Sequence, residues 1–197
     1  MTPANSASRC GWAGDNQLMI DYHDHEWGVP VHDDRILFEL LTLEGAQAGL
    51  SWQIILNKRQ NYRRAFRDFD FKQVARFNSR SAERLCRDRG IVRNRLKIDS
   101  TITNARMILK IAEEHGSLDS YIWQFTGGET IRNNWKSFRD IPSQTEESLS
   151  MSRDLKRRGF RFVGPTICYA FMQAAGMVDD HEESCFRRRR PGKPPRR

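Results

Sequence analysis

Cys10 and His23 near the start of the chain, and His181 and Cys185 near its end, are of the types that hold a borderline-soft metal. Zinc takes thiolate and imidazole in tetrahedral array, and a Cys₂His₂ set leaves no open position, which marks a structural rather than a catalytic centre. If the stretch from His181 to Cys185 is helical, its step of four places both ligands on one face. A site closed by these residues would tie the two ends of the chain together. The same four also read as two buried cysteines and two surface histidines, because free cysteine is among the most buried residue types. The gap from Cys10 to His23 is also longer than the common finger spacings.

A second constellation lies in the first third, which is dense in aromatics and carboxylates: Cys10-Gly-Trp12, Tyr22-His-Asp-His-Glu-Trp27-Gly, and Leu43-Glu44-Gly-Ala-Gln-Ala-Gly-Leu-Ser-Trp52. A third is Lys156-Arg-Arg-Gly-Phe-Arg-Phe-Val-Gly-Pro-Thr-Ile167, a helix end, a glycine-bearing turn and a second helix opening after Gly164-Pro165. Glycines let backbone N–H groups approach a phosphate closely. The helix N-terminus adds a favourable dipole, and Arg157, Arg158 and Arg161 add charge. A helix-hairpin-helix grips a DNA backbone in this way, although glycine also makes ordinary helix–helix turns.

The elements that must position these groups read as helices almost throughout, because apolar residues recur at helical spacing and alternating runs are scarce. Asp33 and Asp34 are N-cap candidates for a helix bearing Leu37, Leu40 and Leu41, and a further apolar segment runs through Leu50 and Trp52 to Leu56. Ser81 opens a helix that Gly90 stops. Ile98, Ile102, Ala105, Leu109 and Ala112 define a long amphipathic helix ending near His115-Gly116. Leu118 to Trp123, Leu149 to Arg157 and Thr166 to Ala175 complete an all-α chain without internal repeats.

The 197 residues suffice for one substantial core or two lobes sharing a cleft. Residues 1–185 read as a single compact unit and 186–197 as a basic, disordered tail. Four scattered cysteines do not make a disulfide scaffold. The N-terminal MTPANSASRC lacks a signal-peptide apolar run, and no stretch reaches the roughly 20 apolar residues that span a bilayer. The expectation is a protein of the reducing cytoplasm with no membrane partner. Cys86 and Cys168, in apolar-periodic segments, read as buried small hydrophobes. The formal charge is +8, but Phe186 to Arg197 holds six Arg, one Lys and no acid, leaving the body near +1. Within the body, Lys72 to Lys110 carries eleven Lys or Arg against Glu83, Asp88 and Asp99, the segregation a phosphate-facing surface requires.

The aromatic-carboxylate segments, together with Arg157-Arg-Gly-Phe-Arg-Phe-Val-Gly164, Ile167-Cys-Tyr-Ala-Phe-Met-Gln173 and Asp180-His181, resemble the 3-methyladenine DNA glycosylase I family of the helix-hairpin-helix DNA glycosylase superfamily. The resemblance runs from about Arg9 to Cys185, with its motifs in order. It implies a helix-hairpin-helix glycosylase fold, two helical lobes with the base pocket between them, and one structural Zn²⁺ per chain on Cys10, His23, His181 and Cys185. His25 is not required as a ligand and reads as surface or pocket edge. The base-pocket residues carry over onto Trp12, Tyr22, Glu44 and Trp52, while Trp27 reads as core. The DNA-gripping hairpin falls on Gly159, Phe160, Arg161, Gly164 and Thr166.

The implied activity is that of a bacterial cytoplasmic base-excision repair enzyme. It would act as a monomer on double-stranded DNA containing alkylated bases and hydrolyse the N-glycosidic bond of 3-methyladenine without strand cleavage. Trp and Tyr faces replace the stacking that a flipped base loses, and their ring electrons favour a cationic purine. Glu44, if buried among them, accepts hydrogen bonds from the base and confers selectivity. Otherwise it is a solvated helix carboxylate, and the tryptophans are ordinary core.

Many helix-hairpin-helix glycosylases have a catalytic Asp in a Val-Asp-x-His context, whereas this family usually has Asn there; the chain reads Val178-Asp179-Asp180-His181. Asp179, with Glu44 the other catalytic candidate, then either stabilises the oxocarbenium-like sugar or orients water, or, the preferred reading, is a helix N-cap with no chemical role. Two rivals remain. A non-catalytic DNA-binding helix-hairpin-helix protein would need no aromatic-carboxylate pocket, and a zinc-dependent hydrolase would leave one ligand position to water.

Overall fold

The computed structural model describes residues 8–188, and helices dominate them. The first, α1 (Gln17–His25), is capped by Asn16, whose side chain accepts from the N–H groups of Leu18 and Met19. Asp33 caps α2 (Asp34–Gln47) in the same way. Asp34, the other cap candidate, instead turns its carboxylate to the N–H groups of Leu118 and Asp119, far along the chain. Ser51 caps α3 (Trp52–Ala65), so Leu50 belongs to the α2–α3 loop rather than to a helix. A side-chain oxygen at these positions satisfies N–H groups that the first helical turn leaves orphaned.

The short α4 (Phe71–Val74) leads to α5 (Ser79–Arg87), whose cap is Asn78, its side chain accepting from Ser81 N–H. The helix thus opens two residues before Ser81, because Asn at the N-cap outcompetes a serine inside the first turn. Next come α6 (Arg95–His115), closed by Gly116, and α7 (Leu118–Trp123). A Thr145/Ser148 capping box starts α8 (Glu146–Arg157) three residues before the apolar pattern begins, and α9 (Pro165–Ala174) follows. Among the described residues, the regular β structure is one two-residue parallel pair, β1 (Ile131–Arg132) with β2 (Val178–Asp179).

One core cluster unites α2, α6, α7, α8 and α9 through Leu37, Phe38, Ile98, Ile108, Tyr121, Met151 and Phe171, all buried. Cys168 is fully buried in it and Cys86 packs partly buried against it. A smaller cluster gathers Cys10, Tyr22, Trp27, Leu56 and Cys185, with Trp12 and Trp52 against it. The strand pair carries the C-terminal segment back past the 131–135 stretch. Just before it, Gly176 (φ +68°) lets the chain turn so close to Val29 that a Cβ would come within 2.3 Å of its carbonyl carbon. No side chain fits there.

The basic stretch from Lys72 to Lys110 is partly spent on structure. Arg106 donates to the carbonyls of Ala75 and Phe77, Lys97 to those of Ala46 and Ala48, and Arg95 pairs with Asp99. No described helix is long and apolar enough to cross a membrane.

Candidate functional site

An ion network centred on the buried pair Arg59 and Glu39 fixes the elements around the site. Arg59 of α3 donates to Glu39 of α2 at 2.5 Å and to Glu26, the C-cap of α1, at 2.6 Å. The helices α1, α2 and α3 carry Tyr22, Glu44 and Trp52 respectively. All three side chains, with Trp12, line one cavity of about 290 Å³. Its other walls are Trp27, Gln47, Phe138, Ile141, Ala170 and Gln173.

The aromatic walls meet at angles rather than face to face. Tyr22 and Trp52 have ring centroids 5.2 Å apart at 53°, and Trp12 and Trp27 lie 4.9 Å apart at 70°. Trp27 is buried, as a core residue should be, yet it also lines the cavity. The indole N–H groups of Trp12 and Trp52 are buried without an acceptor. Such orphaned donors cost free energy unless a ligand supplies the acceptor.

Glu44 is 5% exposed and has no hydrogen-bond partner among the described residues. Burial alone pushes its carboxyl up to about 8, since desolvation disfavours the charged form. It therefore stands mostly protonated at neutral pH. Burial, and secondly the Glu44 carboxyl, hold the Tyr22 phenol well above its ordinary value. The cavity thus combines π faces, unpaired donors and one neutralised carboxyl, a set suited to a planar base bearing positive charge.

Next to this cavity, Cys10, His23, His181 and Cys185, all buried, bring one ligand atom each to within 4.8 Å of one another and can hold a metal ion. Cys10 Sγ and Cys185 Sγ lie 3.4 and 3.5 Å from His181 Nδ1, and Cys185 Sγ lies 3.4 Å from His23 Nε2. Both imidazoles are oriented from behind. His23 Nδ1 is 2.8 Å from Asp24, which Arg9 clamps with two nitrogens, and His181 Nε2 is 3.3 Å from the Trp27 carbonyl. Arg9, and then His23, hold the Asp24 carboxyl down to about 2. The Cys10 thiol, followed by the two imidazoles, holds the Cys185 thiol far below the usual thiol range.

The 181–185 segment is a turn, not a helix, with Cys185 N–H donating to the Glu182 carbonyl. Asp179 accordingly caps no helix. Its carboxylate accepts from His181 N–H at 3.3 Å and braces the ligand turn, and it is not among the residues lining the cavity. His25 is exposed and outside the ligand set. Phe186 continues the packing, its N–H donating to Ser8 and its ring 6.2 Å from His23. The rest of the basic tail, 189–197, lies outside the described residues.

The α8–α9 connection contains Gly159 (φ +96°) and Phe162 (φ +54°), a left-handed position rare for a bulky residue. Phe160 and Val163 are buried anchors, and Asn104 of α6 grips the backbone of Arg161 on both its N–H and its carbonyl. The N–H groups of Phe162, Val163 and Gly164 have no acceptor among the described residues. Gly164 is the N-cap of α9 without a capping side chain, which leaves the helix start, Thr166 included, open to an anion.

The sequence motifs thus find counterparts in three adjoining places. Those that sequence reasoning missed in the cavity are Trp27, Gln47, Phe138, Ile141, Ala170 and Gln173. Trp27, Gln47, Ala170 and Gln173 lie within the motifs quoted above and could have been found there; Phe138 and Ile141 carry no such signal.

The methyladenine glycosylase family profile matches residues 12–188. The chain is 46% identical over 177 residues to DNA-3-methyladenine glycosylase 1 of Escherichia coli (strain K12), covering 90% of this chain and 95% of that protein. A crystal structure of 3-methyladenine DNA glycosylase I (TAG) superposes with a TM-score of 0.90 at 45% identity, over 92% of this chain and all of that one. The 3-methyladenine DNA glycosylase I (TAG) of Staphylococcus aureus, from work on how it recognises 3-methyladenine, gives a TM-score of 0.90 at 33% identity, covering 94% and 99%. With a family match across nearly the whole chain and the same helical fold, this protein belongs to the methyladenine glycosylase family.

Proposed function

We propose that the protein is a monofunctional DNA glycosylase of base-excision repair that releases 3-methyladenine from alkylated double-stranded DNA. The observation that carries the reading is the cavity itself, in which Trp12, Tyr22, Trp27 and Trp52 surround a buried, unpartnered Glu44. A DNA-binding module would have no use for such a pocket, because an unpaired buried carboxyl only costs stability.

The methylated base carries positive charge, so its glycosidic bond is already weak. As the bond from C1′ breaks, its electron pair passes to the base, which leaves neutral. Water forms the new bond to C1′ and gives up a proton. The protein's task is to hold the base out of the stack and exclude its uncharged relatives. Aromatic faces supply stacking, and Glu44, ionising as the cationic base arrives, accepts its N–H groups. Asp179 acts as the brace of the His181 turn. Gly159, Phe160, Arg161, Gly164 and Thr166 form a helix-hairpin-helix grip whose unpaired N–H groups receive a backbone phosphate.

The metal is zinc. Tetrahedral zinc with thiolates near 2.3 Å and imidazoles near 2.05 Å separates sulfur from nitrogen by about 3.6 Å, close to the 3.4–3.5 Å found. Carboxylate and carbonyl groups behind the two histidines complete the outer shell such a centre needs. Four protein ligands leave no place for a reactive water, so zinc contributes folding free energy and the chemistry stays in the cavity. Residues 1–185 act as one unit of two helical lobes, monomeric and cytoplasmic, and the basic tail of 186–197 adds sequence-independent attraction to DNA.

The decisive assay incubates purified, zinc-loaded protein with methylated duplex DNA and quantifies the free bases released. Release of 3-methyladenine is expected, and its absence would overturn the reading.

A further inference from the structure

Asp180 is fully buried, and four donors converge on its carboxylate. Asn133 Nδ2 and Trp135 Nε1 each reach Oδ1 at 2.7 Å. Tyr169 Oη reaches Oδ2 at 2.6 Å, and Gln173 Nε2 reaches it at 2.7 Å. A carboxylate only accepts, so the edge that Gln173 turns toward it must be the amide nitrogen. The amide oxygen is thereby directed away from Asp180, and no described residue donates to it. Gln173 lines the base cavity, as does Ala170 one turn earlier on the same face of α9, where a methyl group leaves room beside it. Its main chain is fixed as well, the carbonyl accepting from Gly28 N–H and Gly176 N–H.

We propose that Gln173 is a second acceptor for the base, oriented by Asp180, and that it takes one hydrogen of a 6-amino group. This rests on the reading of the cavity as a purine site. An exocyclic amine has two hydrogens to place, and a single carboxyl leaves one of them unpaired in a dry pocket unless a second acceptor is present. A 6-keto purine would instead set its oxygen against the Gln173 oxygen, lone pair to lone pair. Gln173 is then the specificity-determining contact, and Asp180 is a positioning residue that acts through it. The hydrogen-bonded unit of Asn133, Trp135, Tyr169 and the buried Asp180 prevents the amide from rotating, so rejection of the keto base requires no movement. A freely rotating glutamine would accept either base by turning over, and the selectivity would vanish.

The test measures quenching of intrinsic tryptophan fluorescence by two free bases, 3-methyladenine and 3-methylpurine, which lacks the amine. Wild-type binding of 3-methyladenine is the control, and without it both this inference and the purine reading fall. Given that binding, Gln173→Met should weaken 3-methyladenine by about tenfold, the equivalent of one hydrogen bond, and leave 3-methylpurine within about twofold of wild type at that energy scale. An unchanged affinity for 3-methyladenine, or an equal loss for both bases, would overturn the inference while leaving the purine reading intact. Asp180→Asn offers an N–H to the Gln173 oxygen and should turn the amide over, shifting preference toward 3-methylhypoxanthine. Should that variant fail to fold, Gln173→Met decides alone, with its melting temperature as the check on structure.

Discussion

Gly45 of α2 lies against Phe162 of the α8–α9 hairpin, so close that a Cβ at Gly45 would sit 3.3 Å from the Phe162 Cβ and 3.4 Å from its carbonyl oxygen. The contact joins the turn whose N–H groups have no acceptor among the described residues directly to the residue after Glu44. On the function proposed above, grip on the backbone and placement of the base would therefore be set by one packed junction.

Gly45→Ala should displace the hairpin by a few tenths of an ångström with little change in stability, because alanine raises helix propensity by about 1 kcal/mol. Misplacement of this kind costs about tenfold in excision from DNA, given that about 1 Å can cost a hundredfold. Fluorescence binding of free 3-methyladenine, which does not use the hairpin, should stay near wild type. Equal loss in both measurements would place the effect in the cavity instead.

Glu44 makes stability depend on pH in a definite direction. Its folded value of about 8 lies above the ordinary 4.5. The stability associated with its protonated form is thus fully present below 4.5 and is lost as pH rises through 8. At about 1.4 kcal/mol per unit, the loss is of order 5 kcal/mol. Glu44→Gln carries no such term. Calorimetry at pH 5 and pH 9 should therefore show a larger drop in melting temperature for wild type than for Glu44→Gln, while the variant loses most of its excision of 3-methyladenine. Parallel pH profiles would mean that Glu44 ionises freely in the folded state.

Asp24 tests the proposed zinc clasp without replacing any of its four residues. Removing its charge by Asp24→Asn frees the His23 ring and breaks the pairing with Arg9, and changes of this type lower metal affinity by about 10- to 100-fold. Competition against a chromogenic chelator reads the shift directly. Complete chelation should lower the melting temperature by about 10 °C, as loss of several kcal/mol does in a chain of this size, and alter the fluorescence of Trp27, which packs on His181 at 4.7 Å. A chelator-treated protein with unchanged melting would remove zinc from the account.

Much of this was legible along the chain. The cap at Asp33 and the glycine stop after His115 are local devices, readable because they act within a few residues, and the start of α9 was read to within one residue, at Thr166 rather than Pro165. So were Cys10, His23, His181 and Cys185, which meet in one buried cluster that can hold a metal, and Trp12, Tyr22, Glu44 and Trp52, which line one cavity, since their types announce their chemistry. Asn78 displaced Ser81 as a cap because neighbouring polar residues compete for one turn, and the stretch after Asp180 became a turn because its pairing beside Trp135 outweighs a helical spacing.

The sequence by itself determined which residues could bind a metal, stack on a base or accept its hydrogens. Tertiary structure alone decided their state. Glu44 is neutral because three helices exclude water from it, Trp27 is both core and cavity wall, and Gln173 can present only its oxygen because Asp180, seven residues onward and beyond a turn, holds its nitrogen. Exclusion of water and orientation of an amide are properties of surroundings. They arise only when segments far apart in the chain meet, and no residue carries them alone.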